Sequence, residues 1–250
     1  MKLVVCVKQV RVLGDEVGFT ADSRDVDPDY LDLALNEWDA CATEEALRIR
    51  ERLGEGEVVA VTAAPAGPEL ALRRCLAMGV DRAIRVESAA VDPISIARAL
   101  AGAVGGESPD LVLCGVQSSD VVQGSTGTAL AELLELPRVA VVTKIDWSGS
   151  GPATVYRELE GGLIDVVEVD TPALLTVQTG INQPRYATLR AIKLAEQKEI
   201  PAVPAPNRAE PAYRVRRMFA PPKGQGAKIL QGPPADVARQ IADIVKERLK

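Results

Sequence analysis

The 250-residue sequence contains no histidine, and only 3% of its residues are aromatic. The absence of histidine removes the most common general base, the usual catalytic dyads and the most common zinc ligand. Any chemistry must therefore rely on carboxylates, on lysine or on a bound cofactor. Because aromatic residues are scarce, aliphatic side chains must fill the core, and an apolar content of 47% is sufficient for this.

Cysteine is also scarce, and its spacing excludes the usual metal sites. The four cysteines are Cys6, Cys41, Cys75 and Cys114, and no Cys-x-x-Cys motif occurs. Zinc and iron–sulfur sites need closely spaced ligands, so we expect no metal site. Three of these cysteines lie in apolar runs or helical patterns, which favours reduced cysteines in the core.

Long apolar runs are missing as well. No run approaches the roughly 20 residues that a membrane-spanning helix needs. The apolar segment at the start ends at Lys8, and no small-residue cleavage site follows it. We therefore interpret this segment as a buried strand rather than a signal peptide, and we expect a cytoplasmic location without a membrane span.

The net charge of −6 is unevenly distributed. Residues 191–250 contain twelve Lys or Arg and six Asp or Glu, so the preceding part is strongly acidic. An acidic body with a basic tail indicates that the tail docks on a protein surface or on its own body. We do not expect nucleic acid as a partner, because no aromatic residues are interleaved with the basic ones.

Apolar runs alternate with helical patterns up to residue 142. Continuous apolar runs are typical of strands buried on both faces of a parallel sheet. The sequence therefore predicts an α/β fold over residues 1–200, with a three-layer, Rossmann-like parallel sheet flanked by helices. The predicted strands are Leu3–Val7, Val58–Ala64, Arg82–Val86, Leu111–Cys114 and Val139–Val142, and the predicted helices are Asp39–Leu53, Pro68–Met78, Ile94–Val104 and Thr126–Leu136.

Local signals support the helix ends. Gly54 and Gly79 follow the first two predicted helices, and Asp92 precedes Pro93 as a predicted N-cap. After residue 142 the pattern changes to alternating polar and apolar residues, which predicts antiparallel hairpins at the sheet edge. The alternating segments are Lys144–Trp147, Ala153–Glu158 and Leu163–Val169, and Ala173–Val177 is a further buried strand.

Residues 201–250 have a different composition, since eight of the seventeen prolines lie between Pro201 and Pro234. Such a segment is extended and forms no core of its own. It ends in a predicted amphipathic helix over Pro234–Leu249. We therefore expect a C-terminal arm, with its helix either folded back on the domain or clasping a partner subunit.

The segment Gly115–Gly127 is the strongest candidate for a ligand site. It follows a predicted strand and leads into a helix, and it contains three glycines, three serines and one threonine. Backbone N–H groups, hydroxyls and a helix N-terminus can surround a phosphate group. The segment is neither a Walker loop nor a Gly-x-Gly-x-x-Gly fingerprint. The alternative is an ordinary capped helix start behind a polar turn.

Two further residues have two interpretations each. Lys8 follows the first strand, where ligands collect in open parallel sheets, although a lysine there is more often a solvated surface charge. Trp38 can stack on a base or pack as the first anchor of its helix.

Several segments resemble the β subunit of electron-transfer flavoproteins, including its FixA-like bacterial relatives. They are LVVCVKQV, NEWDACATEEALRIRE, RRCLAMGVDRAIRV and, most specifically, YRELEGGL with PRYATL. The resemblance covers roughly residues 1–200. It implies a heterodimer with a larger α subunit, and a redox-active FAD shared at the junction. It also implies an AMP, or a second FAD in electron-bifurcating members, buried in the β subunit.

The resemblance also implies functional residues. No catalytic residues are implied, because the flavin supplies the chemistry. The implied cofactor-binding residues are Cys6, Asn36, Asp39, Ala63, Gly115, Gln117, Ser118, Asp120, Gln123, Gly124, Ser125 and Thr126. Lys8 is added to them because of its place at the end of the first strand. The implied partner-binding residues are Leu13, Arg157, Glu158, Tyr186 and Leu189. In this interpretation Leu13 and Glu158 face the α subunit near its flavin, and Leu189, at the tip of a loop, docks flavin-dependent dehydrogenases.

The expected function is electron transfer from such dehydrogenases to a quinone-linked oxidoreductase or another flavoenzyme. Ser118–Val122 lacks the glycine and the second acid that are common in the family, so AMP and FAD both remain open for the β-subunit site. One alternative is therefore a bifurcating subunit that uses NADH. Another is a stand-alone adenine-nucleotide-binding protein of the universal-stress type, and an adenylating enzyme is disfavoured because no lysine-bearing phosphate loop is present.

Overall fold

A computed structural model describes residues 1–67, 69–205, 213–222, 224, 226–227 and 229–249. Pro68, the first residue of a predicted helix, lies outside these ranges. The strands are β1 (Lys2–Cys6), β2 (Gln9–Leu13), β3 (Leu31–Leu35), β4 (Glu57–Ala64), β5 (Arg82–Glu87), β6 (Leu111–Gly115), β7 (Arg138–Asp146), β8 (Ala153–Glu158), β9 (Ile164–Val169), β10 (Ala173–Val177) and β11 (Ala202–Pro204). The helices are α1 (Glu37–Leu53), α2 (Leu70–Met78), α3 (Pro93–Gly106), α4 (Thr126–Leu133), α5 (Leu189–Gln197) and α6 (Pro234–Arg248).

Within the described ranges, nine strands form one sheet in the order β11-β5-β4-β1-β6-β10-β7-β8-β9, and β2 and β3 form a separate antiparallel pair. Pairing is parallel from β11 to β7 and antiparallel from β7 to β9. The predicted α/β class, the flanking helices and the antiparallel edge are confirmed. The strand order reverses between β1 and β6, because β4 and β5 lie on one side of β1 and β6 lies on the other.

The sheet has an apolar core on each face. Along β1, Leu3 and Val5 belong to the core on the side of α1 and α2, whereas Val4 and Cys6 belong to the core on the side of α3 and α4. Successive side chains of a strand point to opposite faces, so a strand covered on both sides must be apolar throughout. This is why the strongest strands were recognisable as continuous apolar runs.

The helix-end signals are confirmed. Gly54 and Gly79 adopt left-handed conformations with φ of 76° and 118° directly after α1 and α2. The side chain of Asp92 accepts a hydrogen bond from the backbone N–H of Ser95, and Pro93 is the first residue of α3. Such caps satisfy N–H groups that have no partner within the helix.

Three elements were not predicted from the sequence, namely the β2–β3 hairpin, α5 and β11. Leu189 was expected at the tip of a loop, and this is wrong because it is the first residue of α5. The hydroxyl of Thr188 accepts a hydrogen bond from the backbone N–H of Ala191 and caps that helix. Strand β11 pairs with β5, so the segment directly after residue 200 extends the edge of the main sheet.

The helix α6 confirms the predicted C-terminal helix, but it buries none of its residues. Its apolar residues Ile241, Ile244, Val245 and Leu249 are exposed. The alternative in which this helix folds back and covers its stripe on the described part of the domain is therefore wrong. None of the helices in the described ranges is long and apolar enough to cross a membrane.

Candidate functional site

The candidate site lies where the strand order reverses, at the carboxyl ends of β1 and β6. In open α/β sheets this is the crevice where ligands bind. Lys8 follows β1, and the loop of residues 116–125 follows β6 and leads into α4. Asn36 and Asp39, at the start of α1, lie against both segments through the hydrogen bonds described next. The structure thus brings together most of the residues that the sequence indicated for nucleotide binding.

Asp39 joins the ends of the two strands. One carboxylate oxygen, Oδ2, accepts a hydrogen bond from the backbone N–H of Lys8 (2.8 Å), and the other, Oδ1, accepts one from Gly115 (2.8 Å). Burial raises the pKa of Asp39 to about 6, although both hydrogen bonds act to lower it. Asp39 therefore has a structural function at the floor of the site.

Asn36 holds the loop against the start of α1. Its side-chain Nδ2 donates to the carbonyl of Gln117 (2.8 Å), and its Oδ1 accepts from the backbone N–H of Ser119 (3.2 Å). Its own backbone N–H donates to the carbonyl of Lys8 (3.0 Å). The residue is buried, and its side chain does not cap α1. Asn36 thus fixes the first half of the loop relative to β1.

Gly115 is required by the close approach of α1 to the end of β6. A Cβ atom at this position would lie 2.5 Å from the Cβ of Trp38 and 2.6 Å from Oδ1 of Asp39. Trp38 itself donates a hydrogen bond from Nε1 to the side chain of Gln178 (2.8 Å), so it is anchored by its indole N–H. The helix start and the strand end can meet only because residue 115 has no side chain.

Lys8 directs its charge at the loop. Its Nζ donates to Oδ1 of Asp120 (2.6 Å) and to Oγ of Ser118 (3.2 Å). Burial acts to raise the pKa of Asp120, but the hydrogen bonds from Lys8 and Ser118 outweigh it and hold that pKa below its ordinary value. Lys8 is thus partly exposed to solvent, but its ammonium group is ion-paired to the loop.

The loop ends at the N-terminus of α4, whose free N–H groups favour an anion. Ser125 occupies the N-cap position, but its side chain makes no capping hydrogen bond, so the expected alternative of an ordinary side-chain cap is not what the structure contains. At Gly127 a Cβ atom would lie 2.6 Å from Sγ of Cys114 and 2.7 Å from the Thr176 methyl group. The absence of that side chain lets the first turn of α4 lie directly on the sheet.

Cys6 and Ala63 form the remaining floor. Cys6 is in register with Val61 of β4 and Cys114 of β6, so it lies at the centre of the strand ends. Burial raises the pKa of Cys6 to about 12, which keeps the thiol protonated and excludes thiolate chemistry at neutral pH. Ala63 is half-buried near the end of β4.

A crevice of about 610 Å³ lies beside the loop, between the start of α3 and α4. Gln123 and Ser125 contribute to its wall, together with Tyr213 from the C-terminal arm. The Nε2 of Gln123 donates a hydrogen bond to the hydroxyl of Tyr213 (3.0 Å). Sequence reasoning missed Tyr213, because no pattern links positions that are 90 residues apart. Gly124 also lies in the loop, with a left-handed φ of 60°.

The residues implied for partner binding lie on three different elements. Leu13 is exposed at the end of β2, and Arg157 and Glu158 end β8. Leu189 is the first residue of α5, and Tyr186 lies in the segment just before that helix. Tyr186 and Leu189 are 87% and 81% exposed, although both are largely apolar. Tyr186 also borders a second groove of about 610 Å³ between β3, α1 and α2.

Comparison with known proteins identifies the family. The family model described as "Electron transfer flavoprotein domain" matches residues 26–207. The chain is 41% identical to the electron transfer flavoprotein subunit beta of Methylophilus methylotrophus, over 99% of this chain and 98% of the relative. It is 34% identical to the subunit beta of Syntrophomonas wolfei, over 100% and 98%, and 31% identical to that of Bacillus subtilis, over 100% and 99%. The resemblance stated from the sequence is thus confirmed, and the chain belongs to the electron transfer flavoprotein β-subunit family.

Proposed function

We propose that this chain is the β subunit of a cytoplasmic, heterodimeric electron transfer flavoprotein. In this proposal an α subunit completes the protein, and an FAD at the subunit junction receives electrons from flavin-dependent dehydrogenases and passes them to a quinone-linked oxidoreductase. The flavin supplies the redox chemistry when it is bound. The side chains of this chain bind, orient and exclude water, which agrees with the absence of histidine from its sequence.

One observation carries the nucleotide part of the proposal, namely the arrangement of Lys8, the 116–125 loop and α4 at the point where the strand order reverses. A cation, hydroxyls and the N–H groups of a helix N-terminus form a donor set that suits a phosphate group. The Oγ of Ser118 accepts a hydrogen bond from Lys8 and so lies beside that cation, and the Ser125 side chain is not used as a cap. We propose that an adenine nucleotide binds here with its phosphate on the loop.

In the complex, the phosphate would compete with Asp120 for the ammonium group of Lys8. The ion pair of 2.6 Å keeps that ammonium group directed at the loop. Such a pre-positioned charge reduces the ordering that binding would otherwise require. Lys8 and Asp120 are therefore proposed to act together, with the lysine as the phosphate ligand and the aspartate as its positioning partner.

The exposed apolar surface supports a subunit interface. Leu163, Ile164 and Val166 around β9 are more than half exposed, and the stripe of α6 is also uncovered. Apolar patches of this kind mark protein interfaces. We propose that the α subunit covers them, with Glu158 and Arg157 at the same end of the β8–β9 hairpin and Leu13 nearer the flavin. Arg157 supports this, because its buried Nε has no hydrogen-bond partner within the described ranges.

We propose that the dehydrogenase docks at Tyr186 and Leu189. Leu189 lies in the first turn of α5, so the helix fixes the position from which its exposed side chain projects. An apolar side chain on a rigid element can insert into a pocket of a partner at low entropic cost for the backbone.

One observation supports a second form of the proposal. In this form the nucleotide is a second FAD, and the complex is electron-bifurcating. The crevice beside Gln123 and Ser125 adds about 610 Å³ of space next to the loop, and an AMP phosphate on the loop does not need that space. The identity of the bound nucleotide separates the two forms.

The test is to produce the chain together with the product of a neighbouring α-subunit gene, purify the complex, denature it and quantify the released nucleotides. One FAD and one AMP per heterodimer are the expected result. Two FADs would establish the bifurcating form. A colourless chain that forms no complex and releases no nucleotide would refute the proposal.

A further inference from the structure

The C-terminal arm is tied to the 116–125 loop at Tyr213. The hydroxyl of Tyr213 accepts a hydrogen bond from Nε2 of Gln123 (3.0 Å) and donates one to the carbonyl of Val91 (3.3 Å). Gln123 belongs to the loop after β6, and Val91 belongs to the loop between β5 and α3. One phenol therefore joins the arm to two loops that follow carboxyl ends of parallel strands.

A second anchor holds the same part of the arm. The backbone N–H of Met218 donates to the carbonyl of Ser23 (2.7 Å), which lies between β2 and β3. Five residue steps separate Tyr213 from Met218, so this segment can span at most about 17 Å. Because the β2–β3 hairpin follows β1 directly, residues 213–218 run along the carboxyl edge of the sheet, where the candidate nucleotide site lies.

The loop needs such an external anchor. Val122 has a φ of 56°, and Gly124 has a φ of 60°, so Gln123 lies between two left-handed residues. For a β-branched residue such as Val122 this conformation is strained and persists only where the surroundings enforce it. Within the loop, Val122 is held by one backbone hydrogen bond, to the carbonyl of Ser118 (2.9 Å). The hydrogen bond from the side chain of Gln123 to Tyr213 restrains the loop from outside.

We propose that Tyr213 is a positioning residue that latches the 116–125 loop in its nucleotide-binding geometry. Bound nucleotide then leaves only after the hydroxyl of Tyr213 has released Gln123. The inference rests on the proposed function, because it needs a nucleotide on this loop. It goes beyond that function by assigning control of nucleotide release to the C-terminal arm.

The test compares Tyr213→Phe with Tyr30→Phe in the purified heterodimer. Tyr30 is a matched control, because it is 40% exposed and Tyr213 is 42% exposed. The Tyr213 hydroxyl bonds Gln123, whereas the Tyr30 hydroxyl has no hydrogen bond within the described ranges. The complex is loaded with radiolabelled AMP, chased with unlabelled AMP and sampled over time. Loss of two hydrogen bonds should speed the release of label by about five- to tenfold in Tyr213→Phe, and Tyr30→Phe should release at the wild-type rate.

A double-mutant cycle separates the latch from a general loosening of the arm. Gln123→Met removes the same hydrogen bond from the other side. If both residues act through that bond, the double variant should release AMP hardly faster than Tyr213→Phe alone. The melting temperature should fall by no more than about 2–4 °C in Tyr213→Phe, because the residue is partly exposed and keeps its ring.

The outcomes are distinct. A wild-type complex that binds AMP while Tyr213→Phe releases it at the wild-type rate overturns the latch and leaves the proposed function intact. Fully additive effects of Gln123→Met and Tyr213→Phe also overturn the latch. A wild-type complex that holds neither AMP nor FAD on this subunit overturns the proposed function and the latch together.

Discussion

Replacement of Asp39 by asparagine should change how stability depends on pH. The pKa of Asp39 is raised from 3.8 to about 6 in the folded chain, chiefly by burial. The folded state therefore binds the proton more tightly than the unfolded state, and stability falls as the pH rises from about 4 to about 6. A difference of about two pKa units corresponds to about 3 kcal/mol.

Asparagine at position 39 cannot ionise, so it removes this contribution. The free energy of unfolding of the wild type minus that of Asp39→Asn should therefore decrease by about 3 kcal/mol between about pH 4 and about pH 7. Other carboxylates with lowered pKa values, such as Glu44 and Glu107, influence both proteins equally and cancel in the difference. Urea unfolding followed by circular dichroism over this pH range measures the difference.

Asp120→Asn is the matched control with the opposite sign. The pKa of Asp120 is lowered in the folded chain, because the hydrogen bonds from Lys8 and Ser118 outweigh its burial. Its carboxylate therefore contributes stability that is lost as the pH falls, so the difference between wild type and Asp120→Asn should grow as the pH rises. Parallel pH profiles for wild type and Asp39→Asn, or the same slope for both variants, would refute the reasoning about buried Asp39.

Three further changes test the site and the docking surface. Gly115→Ala should lower the free energy of unfolding by about 2–3 kcal/mol in urea titrations, because its Cβ would collide with the start of α1. Gly106→Ala, in α3 with open space around its Cβ, should change stability by at most about 1 kcal/mol, and equal losses would contradict the clash. Lys8→Met should weaken AMP binding by about ten- to hundredfold in calorimetry, whereas Lys144→Met, which breaks a comparable ion pair with Asp146, should not. Leu189→Ala should slow electron transfer from the dehydrogenase in stopped-flow traces without changing flavin content, and wild-type rates would count against docking there.

The strands at the centre of the sheet could be predicted because their sequence pattern is a direct consequence of burial. Ala173–Val177 was predicted with its observed bounds, since all five of its residues are buried. The β2–β3 hairpin was missed because most of its side chains are exposed or half-buried. Its stability comes from cross-strand pairs such as Val10 with Ala34, and sequence alone does not show which residues pair.

The members of the candidate site could be predicted, but their roles could not. Asn36 and Asp39 were expected to contact a cofactor, because of the resemblance and because the first helix starts near the carboxyl ends of the strands. In the structure they instead bind backbone groups of Gln117, Ser119 and Gly115, which are 76–83 residues away in sequence. Contacts over such separations depend on the order of the strands, which local patterns do not encode.

At some positions of the site a substitution should affect nucleotide binding alone, whereas at others it should affect both nucleotide binding and the stability of the fold. The ammonium group of Lys8 interacts with the loop through its side chain, whereas its backbone N–H is held by Asp39. Lys8→Met should therefore weaken nucleotide binding and change the Asp39-dependent slope of stability with pH only slightly, because the charge of Lys8 is the smallest of the influences on the pKa of Asp39. Asp39→Asn should change that slope and also weaken binding, because an amide can offer a carboxylate-like oxygen to only one of the two strand ends. If Asp39→Asn kept full nucleotide affinity, the hydrogen bonds of Asp39 would not be what positions Lys8, and the site would have to be organised by Asn36 and the loop alone.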